Sequence, residues 1–352
     1  MRLKEKQPLA PFTTFGIGGP ARWFVAAETE DDIVEAAHWA RENGLELFVL
    51  GGGSNLLVSD AGFDGLVLHV RLKGIERQGE LFRCGAGEDW DGFVALAVGQ
   101  GYAGIECLAG IPGTVGGTPV QNVGAYGQEV DSVIERVRAF DLECWAFVEL
   151  TNAECGFAYR RSRFNTKDRG RFIVTRVDYR LRCNGSPQIT YADLKTHFLG
   201  RAESATLTEV AEAVRAIRQS KAMLLVEGDP DCRSAGSFFK NPSVSQESAD
   251  RVREFAKRAD VQLRTFPMSD GRVKIPAAWL IEQAGFPKGY TMGAAGISSR
   301  HTLALINRGG ANAEDIIALA RKISAAVQER FGIELEMEPV IVGSVAAPGL
   351  AG

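Results

Sequence analysis

The chain has 352 residues, 45% of them hydrophobic and 24% charged, which excludes a single small module and excludes disorder as the default state. Two or three subdomains are expected. A net charge of −4 lacks the excess of Lys and Arg that a broad nucleic-acid face requires, so no nucleic-acid partner is expected. The six cysteines (Cys84, Cys107, Cys144, Cys155, Cys183, Cys232) form no C-x-x-C and have no interleaved His that would suggest zinc, so the thiols read as free and buried and no metal is expected. The segment Met1 to Pro8 has no apolar signal-peptide core, and no apolar run approaches the ~20 residues of a membrane helix. A cytoplasmic location without membrane insertion is the expectation, and no obligate protein partner is inferred.

In chain order, Gly16-Ile17-Gly18-Gly19-Pro20-Ala21 matches G-x-G-x-x-A. Pro20 falls inside the supposed helix start and no apolar strand leads in, so the match reads as a decoy for a dinucleotide fingerprint. Thr29, followed by Glu30, Asp31 and Asp32, predicts a capped amphipathic helix through Glu42, ended by Asn43-Gly44. Glu46 to Leu50 is a short apolar strand that delivers the chain into Gly51-Gly52-Gly53-Ser54-Asn55-Leu56-Leu57, and Val67 to Val70 is a further strand.

A helix from Trp90 to Gly99 precedes a second glycine loop, Ile111 to Gly127, reading IPGTVGGTPVQNVGAYG. Beyond it the pattern alternates: Arg136 to Phe140 and Phe172 to Leu181 predict half-exposed strands of an antiparallel sheet. Gly185-Ser186-Pro187 breaks this pattern, and Thr206 with Glu209 opens a helix as a capping box, which puts the main domain boundary near residue 205. Helices follow at Ser245 to Ala259, Ala277 to Ala284 and Asn312 to Arg330, with strands at Thr302 to Asn307 and Glu334 to Val342. In the last strand Glu336 and Glu338 lie two apart and share one face.

Glycine at such density lets the backbone approach a ligand, so that bare N–H groups hold an anionic group, and two such loops suggest a diphosphate cradle. A tight turn is the competing reading of each loop alone. Neither has the Gly-Lys-Ser/Thr ending of a P-loop. Phe157 to Phe164 interleaves aromatics with Arg160, Arg161 and Arg163, an anion clamp or a solvated basic loop. Ser237 stands between Gly236 and the pair Phe238-Phe239, either a hydroxyl in an apolar pocket or a turn serine. It lacks the G-x-S-x-G context of a nucleophile, so proton donation or substrate hydrogen bonding fits it better. Glu338, before Pro339, reads as a desolvated acid or as an edge-strand carboxylate facing water.

Taken together, GGGSNLL, IPGTVGGTPVQNVGAYG, YRRSRF, GSFFKNP and the terminal strand with Glu338 closely resemble the UDP-N-acetylenolpyruvoylglucosamine reductases, over Phe12 to Gly343. The resemblance implies an α+β chain: a two-subdomain FAD-binding fold of the vanillyl-alcohol-oxidase type plus a C-terminal α/β substrate-binding domain. The corresponding ranges are 1–70 and 71–205 for the FAD subdomains, 206–333 for the substrate domain, 334–343 for the strand with a catalytic Glu, and 344–352 for a flexible tail.

It further implies noncovalent FAD with NADPH as electron donor, and reduction of UDP-N-acetylglucosamine enolpyruvate to UDP-N-acetylmuramate in peptidoglycan precursor synthesis. By the same resemblance hydride would pass from flavin N5 to the enolpyruvyl carbon, Ser237 would donate the proton, and Arg160 and Glu338 would stabilise the carboxylate. The cofactor would lie against Gly51, Gly52, Gly53, Ser54 and Asn55 of the first loop. In the second loop it would meet Ile111, Pro112, Gly113, Gly116 and Gly117, then Gln121, Asn122, Gly124, Ala125 and Tyr126. Tyr159, Tyr191, Lys221, Asn241 and His301 match substrate-side positions, Tyr191 placing the chain in the subgroup with a tyrosine loop. One departure is a lengthened link after Lys221, Ala-Met-Leu-Leu-Val-Glu-Gly-Asp-Pro, where many relatives have Leu-Pro-Asp-Pro. The competing functions are an oxidase of the same flavin fold, which would often carry a tethering His or Cys near the first loop, and a nucleotide-binding regulator without turnover.

Overall fold

The computed structural model describes residues 1–344, and the expected tail beyond Ser344 lies outside the described residues. The chain divides into two compact units, each discontinuous in sequence. Residues 1–7, 21–53 and 64–220 form the first, and residues 8–20, 54–63 and 221–344 form the second.

In the first unit a four-stranded sheet has the order β1-β2-β5-β3, where β1 is Lys4–Pro8, β2 Pro20–Ala27, β3 Leu47–Leu50 and β5 Phe63–Val70, β4 being Leu56–Val58 of the second unit. β3 and β5 run parallel, Leu47 opposite Leu66 and Leu50 opposite His69. Helix α1 (Glu30–Glu42) begins as its sequence predicts: the Thr29 hydroxyl accepts from Asp32 N, and Asp32 accepts from Thr29 N in return. Its buried Ile33, Ala36, Ala37 and Ala40 recur at helical spacing and share a core with Val25, Leu66 and Leu68. No helix follows Gly16–Gly19; the chain enters β2 at Pro20, so that glycine run is not a dinucleotide loop.

A second sheet of the same unit has the order β9-β8-β10-β7-β6. Its strands are β6 Ile75–Gln78, β7 Leu81–Gly85, β8 Ile134–Asp141, β9 Ala146–Thr151 and β10 Phe172–Arg180, and every pairing is antiparallel. Helix α2 occupies Trp90–Gly99 as predicted, capped by Asp89, whose carboxylate accepts from Gly92 N. Phe82, Trp90, Phe93 and Tyr179 close the core between them, with ring centroids 5.2 to 5.9 Å apart in the Phe82–Phe93, Trp90–Phe93 and Phe93–Tyr179 pairs. Short helices α3 (Asn152–Cys155) and α4 (Ala192–His197) lead to α5 (Leu207–Ser220), which starts with the Thr206/Glu209 capping box and belongs to this unit. The chain therefore passes to the second unit after Ser220, and the three-domain division drawn from the family resemblance stays a proposal. Cys144 and Cys183 are exposed, correcting the expectation that the thiols are buried.

The second unit is built on helices α6 (Gln246–Arg258), α7 (Ala277–Gln283) and α8 (Ala313–Phe331), with strands β11 (Ala295–Ile297), β12 (Leu305–Asn307) and β13 (Val340–Val342). Its core joins Phe15, Ile17 and Leu57 from the two early insertions to Phe238, Leu280, Ile317 and Ile323. β13 pairs parallel with β4, Val340 opposite Leu56. Regular strand covers only Val340–Val342 of the predicted Glu334 to Val342: burial does alternate, with Ile333 and Leu335 buried and Glu334 and Glu336 facing water, but among the described residues the earlier part makes one isolated bridge, Phe239 with Met337. The shared face of Glu336 is thus a solvent face, and Lys240 Nζ meets Glu336 Oε1 there at 2.5 Å. Gly62 (φ +81°) lies so close to the chain at Pro20 that a Cβ would stand 1.9 Å from the Pro20 carbonyl oxygen.

Among the described residues no helix is long and apolar enough to cross a membrane.

Gly62→Ala is expected to cost at least about 3 kcal/mol, because strained φ and a backbone clash coincide, and urea unfolding of the variant measures it. Asp141, only 2% exposed, is gripped by Arg171 through Nε (2.9 Å) and Nη2 (2.6 Å), which holds its carboxyl down to about 2. A depressed folded value gives stability that is present above the unfolded pKa near 4 and is lost as pH falls through about 2, roughly 2 kcal/mol in all. Asp141→Asn should flatten that acid limb of a stability-against-pH series between pH 4 and 2 while lowering stability at pH 7.

Candidate functional site

β3 ends at Leu50 and releases the first glycine loop. A Cβ on Gly52 would stand 2.5 Å from Gly113 Cα, and one on Gly51 3.0 Å from Thr114 Oγ1, so the two glycine loops touch backbone to backbone where a side chain on Gly52 has no room. Gly53 and Gly113 hold φ of +64° and +130°. Among the described residues, the N–H groups of Gly51, Gly52 and Gly53 donate to no protein acceptor, and neither do those of Ile111 and Gly113. Gly53 is buried, so its donor in particular calls for a partner from outside the chain. A run of such amides is an anion cradle.

The second loop is fixed to the scaffold on both flanks. Val115 N donates to Glu88 O (2.9 Å) and Gly116 N to Ala86 O (2.8 Å), while the Thr118 hydroxyl lies 2.6 Å from the hydroxyl of the fully buried Tyr179 on β10. At its entrance, Asp91 on α2 accepts from Gly110 N (2.6 Å) and pairs with Arg215 of α5 (2.6 Å), and Arg218 Nε donates to Gly110 O (3.0 Å). Asn122, fully buried at φ +45°, spends its amide inside the unit: Nδ2 donates to Glu129 (2.9 Å), Asp131 (3.2 Å) and Ala158 O (3.2 Å), and Oδ1 accepts from Asp131 N (3.1 Å). Gln121, Ala125 and Tyr126 lie beside it in this half-buried stretch.

Arg160 is carried by a tight turn in which Ala158 and Arg161 exchange both backbone bonds at 2.9 Å, and it takes φ +55°, unusual outside glycine. Its Nη2 donates to Gly124 O (2.8 Å), and Ser162 Oγ donates to Val120 O (2.6 Å), so this turn is stitched to the second glycine loop. Tyr159, at the turn's tip, and Tyr191, at the start of α4, are 36% and 45% exposed. The Tyr191 ring stands edge-on to Tyr126, centroids 5.4 Å apart. Arg160, Tyr159, Tyr191 and the second loop are therefore one cluster within the first unit.

The second unit gathers another. Phe238 N donates to Leu303 O (2.7 Å) and Phe238 O accepts from Glu338 N (2.9 Å), so the Ser237 loop lies between the 298–304 turn and the terminal segment, with Ser237 and Glu338 beside the same carbonyl bond. Asn55 brackets Glu338: its Nδ2 donates to Glu338 O (3.2 Å) and its O accepts from Val340 N (2.9 Å). Ser237 is half-buried, and among the described residues its hydroxyl makes no hydrogen bond. Asn241 Oδ1 accepts from Ala277 N (2.9 Å) at the start of α7. Burial, and after it the charges of Lys221 and Lys288, push His301 down to about 4, so its ring is neutral at physiological pH.

Sequence reading missed the parts that hold these residues: Asp91, Arg215 and Arg218 on the first unit, and Asp231 with Ser298 on the second. Asp91 lies in the first turn of α2, where an acid is ordinary, and nothing in the sequence points it at Gly110.

A family model described as UDP-N-acetylenolpyruvoylglucosamine reductase, C-terminal domain, matches residues 229–342, and one described as FAD binding domain matches residues 21–143. The UDP-N-acetylenolpyruvoylglucosamine reductase of Streptomyces coelicolor is 47% identical over 96% of this chain and 89% of its own, and that of Thermobifida fusca 45% identical over 96% and 97%. The crystal structure of the reductase from Thermus caldophilus superposes with a TM-score of 0.69 at 28% identity, covering 97% of this chain and 100% of that one. With relatives of this identity matched along nearly its whole length, the chain belongs to the UDP-N-acetylenolpyruvoylglucosamine reductase family.

Proposed function

We propose that this chain reduces UDP-N-acetylglucosamine enolpyruvate to UDP-N-acetylmuramate, with Arg160 and Glu338 stabilising the substrate carboxylate and Ser237 supplying the proton. Membership of the family makes it a flavoprotein oxidoreductase of peptidoglycan precursor synthesis, with FAD as cofactor and NADPH as reductant. The residues present fit FAD: the unclaimed N–H groups of Gly51 to Gly53, Ile111 and Gly113 offer donors to a diphosphate, with no need of a Lys in the loop. FAD, when bound, supplies hydride transfer between NADPH and the enolpyruvyl carbon.

The observation that most supports the reading is the pairing of the Ser237 loop with the Glu338 segment through Glu338 N and Phe238 O. A hydroxyl that no group among the described residues bonds, half withdrawn from water, is suited to pass a proton to a strongly basic carbon. Such a carbon arises as charge develops on the carbon next to the carboxylate. A guanidinium and a carboxyl group aimed at that carboxylate lower the barrier by meeting the charge as it forms. Arg160 is held for this by Gly124 O and by its own strained backbone, an arrangement that fixes direction more than it adds stability. Tyr159, Tyr191, Lys221, Asn241 and His301 are proposed to bind the UDP-sugar.

Ser237→Ala should still let NADPH bleach the oxidised flavin band, while reoxidation by the enolpyruvyl substrate slows by about 10²- to 10⁴-fold in stopped flow. Equal loss of both half-reactions would contradict the assignment. Arg160→Lys keeps the charge but loses the fork, and its kcat/KM for the enolpyruvyl substrate is expected to fall about 10²-fold at unchanged flavin content.

A further inference from the structure

The lengthened link between Lys221 and the Ser237 loop ends in two anchoring carboxylates, Asp229 and Asp231, and the second is the more deeply bonded. Asp231, 8% exposed, sits in the single helical turn Pro230–Cys232. Its Oδ2 accepts from Ser298 Oγ (2.9 Å), Ser299 N (2.9 Å) and Ser299 Oγ (2.7 Å), with Arg300 Nε at 3.5 Å, while Arg300 Nη2 pairs with Asp229. The hydroxyl of Ser298, fully buried, passes the constraint on: it accepts from Arg300 N (3.1 Å) and His301 N (3.3 Å). Two further bonds continue the same zipper, Asn307 N to Arg233 O (2.9 Å) and Phe238 N to Leu303 O (2.7 Å). The link is tied back on its other side, where Cys232 Sγ donates to Leu224 O (2.9 Å).

These bonds join two segments that carry proposed site residues at neighbouring positions. The first, 229–239, holds Ser237; the second, 298–307, holds His301. A buried carboxylate saturated by donors from consecutive residues contributes little net cohesion, since its desolvation offsets much of the attraction, but it fixes one register between the two segments. We propose that Asp231 is a positioning residue of the reductase: through Ser298, Ser299 and Arg300 it sets the Ser237 loop in register with the His301 turn, so that proton donor and substrate-side contact are presented together. This rests on the roles proposed above for Ser237 and His301.

The test is Asp231→Asn purified with FAD bound, its two half-reactions followed separately in stopped flow beside Ser237→Ala and Ser299→Ala. The asparagine keeps one acceptor oxygen but loses the charge, so its bonds to Ser298, Ser299 and Arg300 are weaker than those the carboxylate accepts. Flavin reduction by NADPH should stay within about twofold of the parent, and reoxidation by UDP-N-acetylglucosamine enolpyruvate should fall about 10- to 100-fold, the scale of an ångström's misplacement. Ser299→Ala, which removes one donor and keeps the carboxylate, should slow reoxidation about two- to tenfold and carries the test if Asp231→Asn does not fold. Reoxidation at the parent rate in the folded, flavin-loaded Asp231→Asn, or an equal fall in both half-reactions, overturns the positioning role. If Ser237→Ala itself reoxidises at the parent rate, the underlying site assignment fails and takes this inference with it. Slow Ser237→Ala beside normal Asp231→Asn refutes the latch alone.

Discussion

The backbone of Gly52 rests on the backbone of Gly113, at a distance that leaves no room for a Cβ on Gly52. The contact joins two loops some sixty residues apart in sequence, each carrying amide donors that no acceptor among the described residues uses. Everything around it acts to keep those donors open. Val115 and Gly116 are held by Glu88 and Ala86, Thr118 by Tyr179, and Gly110 by Asp91 and Arg218. The anchors act on the flanks, and the donors between them stay unspent. A scaffold of two sheets and an aromatic core thus serves a site made mostly of main chain.

The second unit solves a different problem, which is to hold a few polar side chains in fixed places against an apolar core. It does so with single backbone bonds between short extended segments: Phe238 with Leu303 and with Glu338, Asn55 with Glu338 and Val340. Phe238 and Phe239, both 1% exposed, pack into the apolar core, and Ser237 just before them stays half-exposed. At the end of the link after Lys221, in which Leu225 and Val226 are exposed, the buried Asp231 and its donors hold the chain. Ordering such a link by polar bonds fixes geometry at little gain in stability.

Local signals carried much of the fold. The cap at Thr29, the capping box at Thr206, the helix from Trp90 to Gly99, and the alternating strands were legible because caps and periodicity act over a few residues. The glycine loops were legible as a pair, though only the structure puts Gly52 against Gly113. What the sequence could not reveal was long-range. Residues 8–20 and 54–63 join the second unit through contacts such as Phe15 with Phe238, centroids 6.4 Å apart, which no local pattern announces. The terminal strand was read too long because alternation continues through Ile333 to Leu335 without a neighbouring strand to pair with. Asp231 escaped notice since an acid in an irregular segment reads as solvent-facing until its four donors are seen.

The central claim, that a main-chain cradle holds the flavin of an enolpyruvyl-sugar reductase, is tested most directly by an anaerobic visible-absorption titration of the purified chain. The account predicts an oxidised-flavin band that NADPH bleaches and that returns on adding UDP-N-acetylglucosamine enolpyruvate without oxygen. A band that returns only with oxygen, or no flavin bound even after FAD is supplied, would contradict it.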